Sequence, residues 1–102
     1  PAERDGEYHT YQTYLIQADD RDDLQEHLRA NGVEAVIHYP TPLHLQPAAA
    51  GLGYEVGSFP VTERLSHRVL SLPLFPGMTA SQQDMTVDVL SSFYKSRGGV
   101  NR

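Results

Sequence analysis

Polar and hydrophobic side chains alternate in YQTYLIQA, residues 11–18, and this alternation predicts a β-strand. The run VEAVIHY, residues 33–39, predicts a second strand, which is expected to end at Pro40. A shorter strand is predicted over residues 70–72, directly before Pro73. The chain therefore offers short strands for one small sheet.

Apolar spacing predicts a first helix directly after the first strand. Leu24 and Leu28 form an i, i+4 pair that is expected to be buried, and Asp19 or Asp20 is expected to cap the N-terminus. The acidic residues of the first turn suit the positive end of the helix dipole and are interpreted as part of a solvated face. Gly32 is expected to stop the helix in the left-handed conformation.

Two further helices are predicted in the second half of the chain. Residues 60–70 begin with a proline suited to the first turn and carry an apolar stripe formed by Val61, Leu65 and Val69. Residues 80–94 follow a capping box made by Thr79 and Gln82. The side chains expected on the buried face of this last helix are Met85, Val89, Leu90 and Phe93.

The predicted order of elements is strand, helix, strand, irregular segment, helix, strand, helix. This order predicts an α+β fold in which helices pack on a small antiparallel or mixed sheet. One domain is expected over residues 1–95, in agreement with a length of 102 residues. Residues 96–102 contain two adjacent glycines and no apolar pattern, and are expected to be a disordered tail.

Composition removes several functional classes. A net charge of −5 and a pI near 5.4 argue against binding to a nucleic-acid backbone, which requires a basic surface. The absence of cysteine excludes disulfides, thiol catalysis and zinc–thiolate sites, and favours a cytoplasmic protein. No apolar run approaches the roughly 20 residues of a membrane span, so no membrane partner is expected. The N-terminus lacks a signal-peptide core. It also lacks an initiator Met and is interpreted as the cut end of a longer protein, with removal of the Met as the alternative.

The irregular segment HYPTPLHLQP, residues 38–47, is the candidate for a site. Its three prolines restrict the unfolded chain, so the segment holds its side chains in place at little entropic cost. Loops on a rigid scaffold often carry binding residues, which makes His38, Tyr39 and His44 candidates for ligand contact. The same features suit a purely structural or interface role, and the residues alone leave both open.

The histidines do not predict a metal site. His9, His38 and His44 lack helical i, i+4 spacing, and no nearby carboxylate completes a ligand set. His27 and His67 lie on predicted helices, where they are expected to face water. The chain also lacks a phosphate-binding glycine loop and a G-x-S-x-G nucleophile motif.

Several motifs occur together in a specific order. They are Gly32-Val33, His38-Tyr39-Pro40, PLHLQP at residues 42–47, Gly53-Tyr54, Phe59-Pro60-Val61 with Glu63, and SLPLFPGMT at residues 71–79. With these motifs the chain, over roughly residues 8–94, resembles the C-terminal domain of the DegT/DnrJ/StrS family. Members of this family are pyridoxal-phosphate (PLP) dependent aminotransferases that act on nucleotide-linked keto sugars.

The resemblance implies the small C-terminal α+β domain of a fold type I PLP enzyme. It implies that a large PLP-binding domain of the same protein and a homodimer partner complete the active site. The resemblance implies that the lysine that binds PLP covalently belongs to the large domain, outside this chain. Lys95, the only lysine here, lies in a tail whose context does not suit that role. His38, Tyr39 and His44 correspond to a loop near the sugar nucleotide and are implied to bind substrate. No catalytic, cofactor-binding or metal-binding residue is expected in the chain itself.

Two alternatives accompany this interpretation. The chain could stand alone as a non-catalytic binding or dimerisation module, or the parent could be a PLP-dependent sugar dehydratase instead of a transaminase using glutamate or a similar donor. A domain separated from its parent should expose a large apolar surface, whereas an independent module should have a polar one. Apolar residues outside the predicted elements favour the first interpretation: Ala48, Ala49, Ala50, Leu52, Phe59, Leu74 and Phe75.

Overall fold

The computed structural model describes residues 2–98 and has an α+β architecture. Strand β1 covers Tyr14–Gln17, helix α1 covers Arg21–Ala30, and two short 3₁₀ turns follow at Leu43–Leu45 and Pro47–Leu52. Helix α2 covers Pro60–Ser66, strand β2 covers Val69–Leu72 and helix α3 covers Ala80–Ser96. The predicted order of helices and strands is confirmed except at the second strand.

The sheet has two antiparallel strands, with Leu15 opposite Ser71 and Ile16 opposite Leu70. The strand predicted over residues 33–39 is wrong: within the described residues it is reduced to one isolated bridge between Val36 and Ser71. The physical reason lies in Pro73. The next antiparallel pair would place Glu34 opposite Pro73, which has no N–H to donate to a ladder.

β1 is also shorter than the predicted residues 11–18, because pairing stops at Tyr14 and Leu72. Tyr11 has a φ of +50°, in the left-handed region, which separates the start of the stretch from an extended strand.

Helix α1 packs as the apolar spacing predicts. Leu24 and Leu28 are fully buried, and Gly32 follows the helix with a φ of +79°. Asp20 occupies the N-cap position, but its side chain makes no capping hydrogen bond, so the predicted side-chain cap is not formed. The acidic side chains of the first turn are those of Asp22 and Asp23, where they face the positive end of the helix dipole.

The later helices confirm the predictions in part. Helix α2 ends at Ser66, Val61 is exposed and Val69 belongs to β2, so the predicted apolar stripe is not formed. Helix α3 starts with the predicted capping box. Thr79 Oγ1 accepts from the Gln82 amide at 3.2 Å, and Gln82 Oε1 accepts from the Thr79 amide at 2.9 Å.

Phe93 of α3 is buried as predicted and Met85 is exposed, contrary to prediction. Val89 and Leu90 are partly buried against the core. The helix continues to Ser96, inside the predicted tail, and residues 99–102 of that tail lie outside the described part of the chain.

One core joins the sheet to α1 and α3. Its buried members are Ala18, Leu24, Leu28, Val33, Ala35, Leu70 and Phe93. Val33 and Ala35 reach this core from the stretch after α1, which places the irregular segment beside β2. Among residues 2–98, the helices are all too short or too polar to cross a membrane.

Candidate functional site

His38 is held against the sheet by a buried serine. Its Nδ1 lies 2.9 Å from Ser71 Oγ, and Ser71, in β2, is only 6% exposed. The backbone of Ser71 also forms both hydrogen bonds of the bridge to Val36, two residues before His38. The imidazole is therefore fixed at its Nδ1 edge by a side chain that is itself fixed in the sheet.

Tyr39 follows His38 and points its ring outward. The tyrosine is 72% exposed, and its ring meets the His38 ring edge to face at 5.4 Å between centroids. Its hydroxyl makes no hydrogen bond within residues 2–98. The pair thus presents an imidazole and a phenol at one surface.

His38 lies between two open clefts. The first, of about 580 Å³, runs along β2 towards α3 and includes Val36, Ser71, Phe75 and Gln82. The second, of about 530 Å³, runs between the proline-rich segment and α2 and includes Tyr39, Thr41, Leu43 and Gln46. Both clefts combine apolar walls with hydroxyl and amide groups, a lining that suits a ligand with several hydrogen-bonding groups.

His44 turns inward instead of toward these clefts. It is 9% exposed, and its Nε2 donates to Glu63 Oε1 at 2.9 Å. Its ring packs edge to face on Phe59 with centroids 4.8 Å apart. The amide of Gly57 donates to both carboxylate oxygens of Glu63, at 2.8 and 3.0 Å.

Glu63 therefore ties three parts of the irregular region together, the 3₁₀ turn with His44, the loop with Gly57 and helix α2. The hydrogen bond from His44, and next the one from the Gly57 amide, hold the pKa of the Glu63 carboxyl below its ordinary value of 4.5. Sequence reasoning quoted Glu63 within a motif but assigned it no role. Glu63 directly precedes Arg64 in α2, and this local sequence gives no signal of a partner 19 residues away.

The remaining histidines have separate partners. His9 Nδ1 accepts from the Tyr11 amide at 2.8 Å, in the segment before β1. His27 is half-buried, with Nε2 2.9 Å from Ser92 Oγ, so its predicted surface position is wrong, whereas His67 is exposed as predicted. Residues 2–98 bring together no group of three or more side chains able to bind a metal ion.

The residues of this chain do not fit PLP. Lys95, its single lysine, is exposed near the end of α3 and lines neither cleft beside His38. A lysine that forms an aldimine requires a desolvated site, whereas Lys95 is exposed to solvent. No chemical step through this cofactor is therefore assigned to these residues.

Comparison with known proteins gives one consistent family. Residues 1–91 match the model of the DegT/DnrJ/EryC1/StrS aminotransferase family. The chain is 43% identical over 95 residues to a "Pleiotropic regulatory protein" of Geobacillus stearothermophilus, covering 93% of this chain and 26% of that protein. It is 38% identical over 77 residues to the dTDP-3-amino-3,4,6-trideoxy-alpha-D-glucose transaminase of Streptomyces venezuelae, covering 76% and 20%.

A solved structure shows the same fold. The crystal structure of S. venezuelae DesV in complex with a ketimine intermediate superposes with a TM-score of 0.72 at 34% identity, over 87% of this chain and 23% of that one. The chain thus spans only 20% to 26% of the length of the proteins it matches.

Proposed function

This chain belongs to the DegT/DnrJ/EryC1/StrS aminotransferase family, and on that premise we propose that it is the small C-terminal domain of a PLP-dependent transaminase. The parent protein transfers an amino group from an amino acid such as glutamate to a nucleotide-linked keto sugar. The observation that carries this proposal is the His38-Tyr39 pair, presented between two clefts on a segment fixed to the sheet. The Streptomyces venezuelae transaminase that is 38% identical to the chain over 77 residues supports the substrate class.

We assign substrate contact to His38 and Tyr39. A neutral imidazole and a phenol each donate and accept hydrogen bonds, so they suit sugar hydroxyls and phosphate oxygens. His44 is a weaker substrate contact, because its Nε2 is occupied by Glu63 and the ring is 9% exposed. Its stronger contribution is to hold the segment that carries the other two residues.

We propose that the large domain, the lysine that binds PLP and the homodimer partner lie outside this chain, and that the parent works in the cytoplasm. The exposed position of Lys95 supports a cofactor lysine elsewhere. A direct check mixes the 102-residue chain with PLP and records its absorbance. We expect no aldimine band from the chain, and a band from the longer protein. A lysine-dependent band from the chain alone contradicts the proposal.

The site assignment is tested in the longer protein. His38→Ala and Tyr39→Phe should each raise the KM for the nucleotide sugar by about three- to tenfold, the effect of losing one hydrogen bond. The KM for the amino donor should stay unchanged, because the amino donor lacks the sugar and phosphate oxygens that His38 and Tyr39 are proposed to bind. Lys95→Ala serves as control on the exposed end of α3 and should leave both constants unchanged. Equal effects on both substrates, or none, would assign the segment a structural role.

The same assay decides between transaminase and dehydratase. A transaminase forms amino sugar in proportion to the glutamate consumed, whereas a dehydratase releases water and forms a deoxy sugar without a new amino group. If the longer protein, loaded with PLP, neither forms amino sugar nor releases water, a purely non-catalytic module is indicated.

A further inference from the structure

Ser71 makes three contacts that no assigned function yet uses. Its amide donates to Val36 O at 2.8 Å and its carbonyl accepts from the Val36 amide at 3.0 Å. Its hydroxyl lies 2.9 Å from His38 Nδ1. Ser71 therefore fixes both the backbone that leads to His38 and the ring of His38 itself.

We propose that Ser71 is a positioning residue that sets the tautomer of His38. The Ser71 hydroxyl donates to Nδ1, so the proton of the neutral imidazole is on Nε2, where it donates to an oxygen of the ligand. The identity of that ligand as a nucleotide sugar rests on the proposed function. The tautomer does not, since it follows from contacts within this chain.

Burial of the hydroxyl decides the direction of this hydrogen bond. Ser71 is 6% exposed, and Nδ1 of His38 is the only hydrogen-bond partner found for its Oγ within residues 2–98. If Nδ1–H donated to Oγ, the O–H of this largely buried serine would have no acceptor among residues 2–98, which costs the desolvation of a polar group. If Oγ–H donates to Nδ1, the hydroxyl proton is satisfied.

The other edge of the ring is then a donor. A neutral imidazole has one N–H and one bare nitrogen, so a hydrogen bond accepted at Nδ1 places the proton on Nε2. Within residues 2–98, His38 Nε2 makes no hydrogen bond, and the ring borders both clefts. Phosphate and sugar oxygens are acceptors, so a fixed N–H matches them whereas a bare nitrogen would repel a phosphate.

The chain offers a matched control. Ser92 Oγ lies 2.9 Å from His27 Nε2, the same distance between the same two kinds of group, on α3 and away from β2. Ser92→Ala therefore removes a serine–histidine hydrogen bond without touching the His38 site. Any general effect of losing such a bond should appear in both variants, and only Ser71→Ala should change His38.

The first test measures the imidazole nitrogens of the chain by ¹⁵N NMR at about pH 9, where ordinary histidines are neutral, with His38→Gln identifying the signals of residue 38. We expect a protonated Nε2 and a bare Nδ1. In Ser71→Ala the Nδ1 and Nε2 shifts should move towards each other as the tautomers mix, and in Ser92→Ala they should not move. A protonated Nδ1, or shifts that Ser71→Ala leaves in place, overturns the inference.

The second test uses the longer protein. Ser71→Ala should raise the KM for the nucleotide sugar about three- to tenfold with kcat unchanged, and Ser71→Thr, which keeps the hydroxyl, should recover most of the loss. Ser71→Cys keeps the volume but replaces the hydroxyl by a weak donor, so it should follow Ser71→Ala even if that variant folds poorly. Ser92→Ala should match the unchanged protein.

The outcomes separate the two proposals. If His38→Ala raises the KM and Ser71→Ala and Ser71→Cys do not, the positioning role is wrong and the proposed function stands. If none of the three changes the KM while NMR still shows the predicted tautomer, Ser71 positions His38 but the substrate assignment is wrong.

Discussion

The Glu63 carboxylate connects three parts of the chain near the site by hydrogen bonds. It accepts hydrogen bonds from the buried His44 ring and from the Gly57 amide. The Phe59 ring packs edge to face on His44, and the Tyr54 ring packs edge to face on Phe59. The loop on both sides of Gly57 therefore depends on the Glu63 carboxylate. The order of residues 44–63 is therefore sensitive to the charge of one group.

Glu63→Gln should make the stability of the chain less dependent on acidic pH. The pKa of Glu63 is lowered in the folded chain by His44 and then by the Gly57 amide, so its carboxylate stabilises the fold above the ordinary value of 4.5. That contribution is lost as the pH falls through the lowered pKa. The free energy of unfolding, measured in urea from about pH 6 down to about pH 3, should fall less steeply in the variant.

Glu34→Gln is the control for this measurement, because the Glu34 side chain is exposed and makes no hydrogen bond in the described part of the chain. The free energy of unfolding of Glu34→Gln should equal that of the unchanged chain at each pH. Identical pH dependence in Glu63→Gln and the unchanged chain would mean that the carboxylate contributes no charge-dependent stability.

At the scale of elements, helix α3 depends on its N-terminal capping box. Thr79→Ala removes the acceptor for the Gln82 amide and should lower the free energy of unfolding by about 1 kcal/mol. Thr79→Ser keeps the oxygen and should lower it much less. Ser81→Ala, an exposed serine in the first turn that makes no side-chain hydrogen bond within residues 2–98, is the control and should change little. Equal loss in Thr79→Ser and Thr79→Ala would assign the effect to packing instead of capping.

Arg21 joins α1 to the strand that carries Ser71. It is 6% exposed, and its Nη1 donates to the carbonyls of Ser66 and Val69, each at 3.0 Å. Arg21→Lys keeps the charge, but a lysine side chain ends one atom short of Nη1, so at least one carbonyl should lose its partner. We expect a loss of about 1–3 kcal/mol in the free energy of unfolding, measured by urea denaturation.

Arg29→Lys provides the matched control on the same helix. Arg29 is exposed, and its nearest carboxylate, that of Glu26, lies 3.6 Å away. Surface pairs of this kind contribute about 0–1 kcal/mol, so the substitution should be nearly neutral. If both arginine variants lose the same stability, the buried hydrogen bonds of Arg21 are not the cause.

The elements show which part of the fold the sequence can predict. Local signals succeed: the i, i+4 pair Leu24 and Leu28 is buried, and the Thr79 box forms as its spacing predicts. The predicted strand lengths are wrong, because the length of a strand depends on the partner strand it pairs with. Pro73 limits pairing for Glu34, and that limit becomes visible only once the register of the bridge to Val36 is known.

The candidate site shows the same difference between local sequence signals and contacts with residues distant in the sequence. The resemblance and the prolines single out His38 and Tyr39, which the structure presents together beside the clefts. The partners that fix the candidate histidines lie far along the chain, with Ser71 33 residues from His38 and Glu63 19 residues from His44. Nothing in the local pattern distinguishes Ser71 from the other serines, so the positioning role requires the fold.

At the scale of the whole molecule, the chain is extended and apolar outside its core. Its Cα radius of gyration is 16.5 Å, compared with about 13 Å for a compact domain of 100 residues. Large apolar side chains are exposed throughout the segment from the first 3₁₀ turn to α2: Leu43, Leu52, Tyr54, Val56, Phe59 and Val61. Of the residues predicted to form such a surface, Leu52, Phe59, Leu74 and Phe75 are exposed and Ala49 is buried.

This surface is what a domain separated from its parent should show, and it gives a test of the chain as a whole. Leu52 and Val56 are 68% and 79% exposed, so replacing both by serine should change the free energy of unfolding by less than about 0.5 kcal/mol. The same double substitution should reduce binding of a hydrophobic dye and concentration-dependent association of the isolated chain. In the longer protein it should instead lower stability, since the proposed function has a large domain that would cover an exposed apolar surface of this kind.

Val87→Ser is the control, since Val87 is also exposed but lies on α3, outside the segment from Leu43 to Val61. It should leave dye binding by the chain and the stability of the longer protein unchanged. If Leu52→Ser with Val56→Ser is neutral in the longer protein as well, these side chains face water there too. The alternative of an independent module that tolerates an exposed apolar segment would then be favoured over a domain that requires its parent.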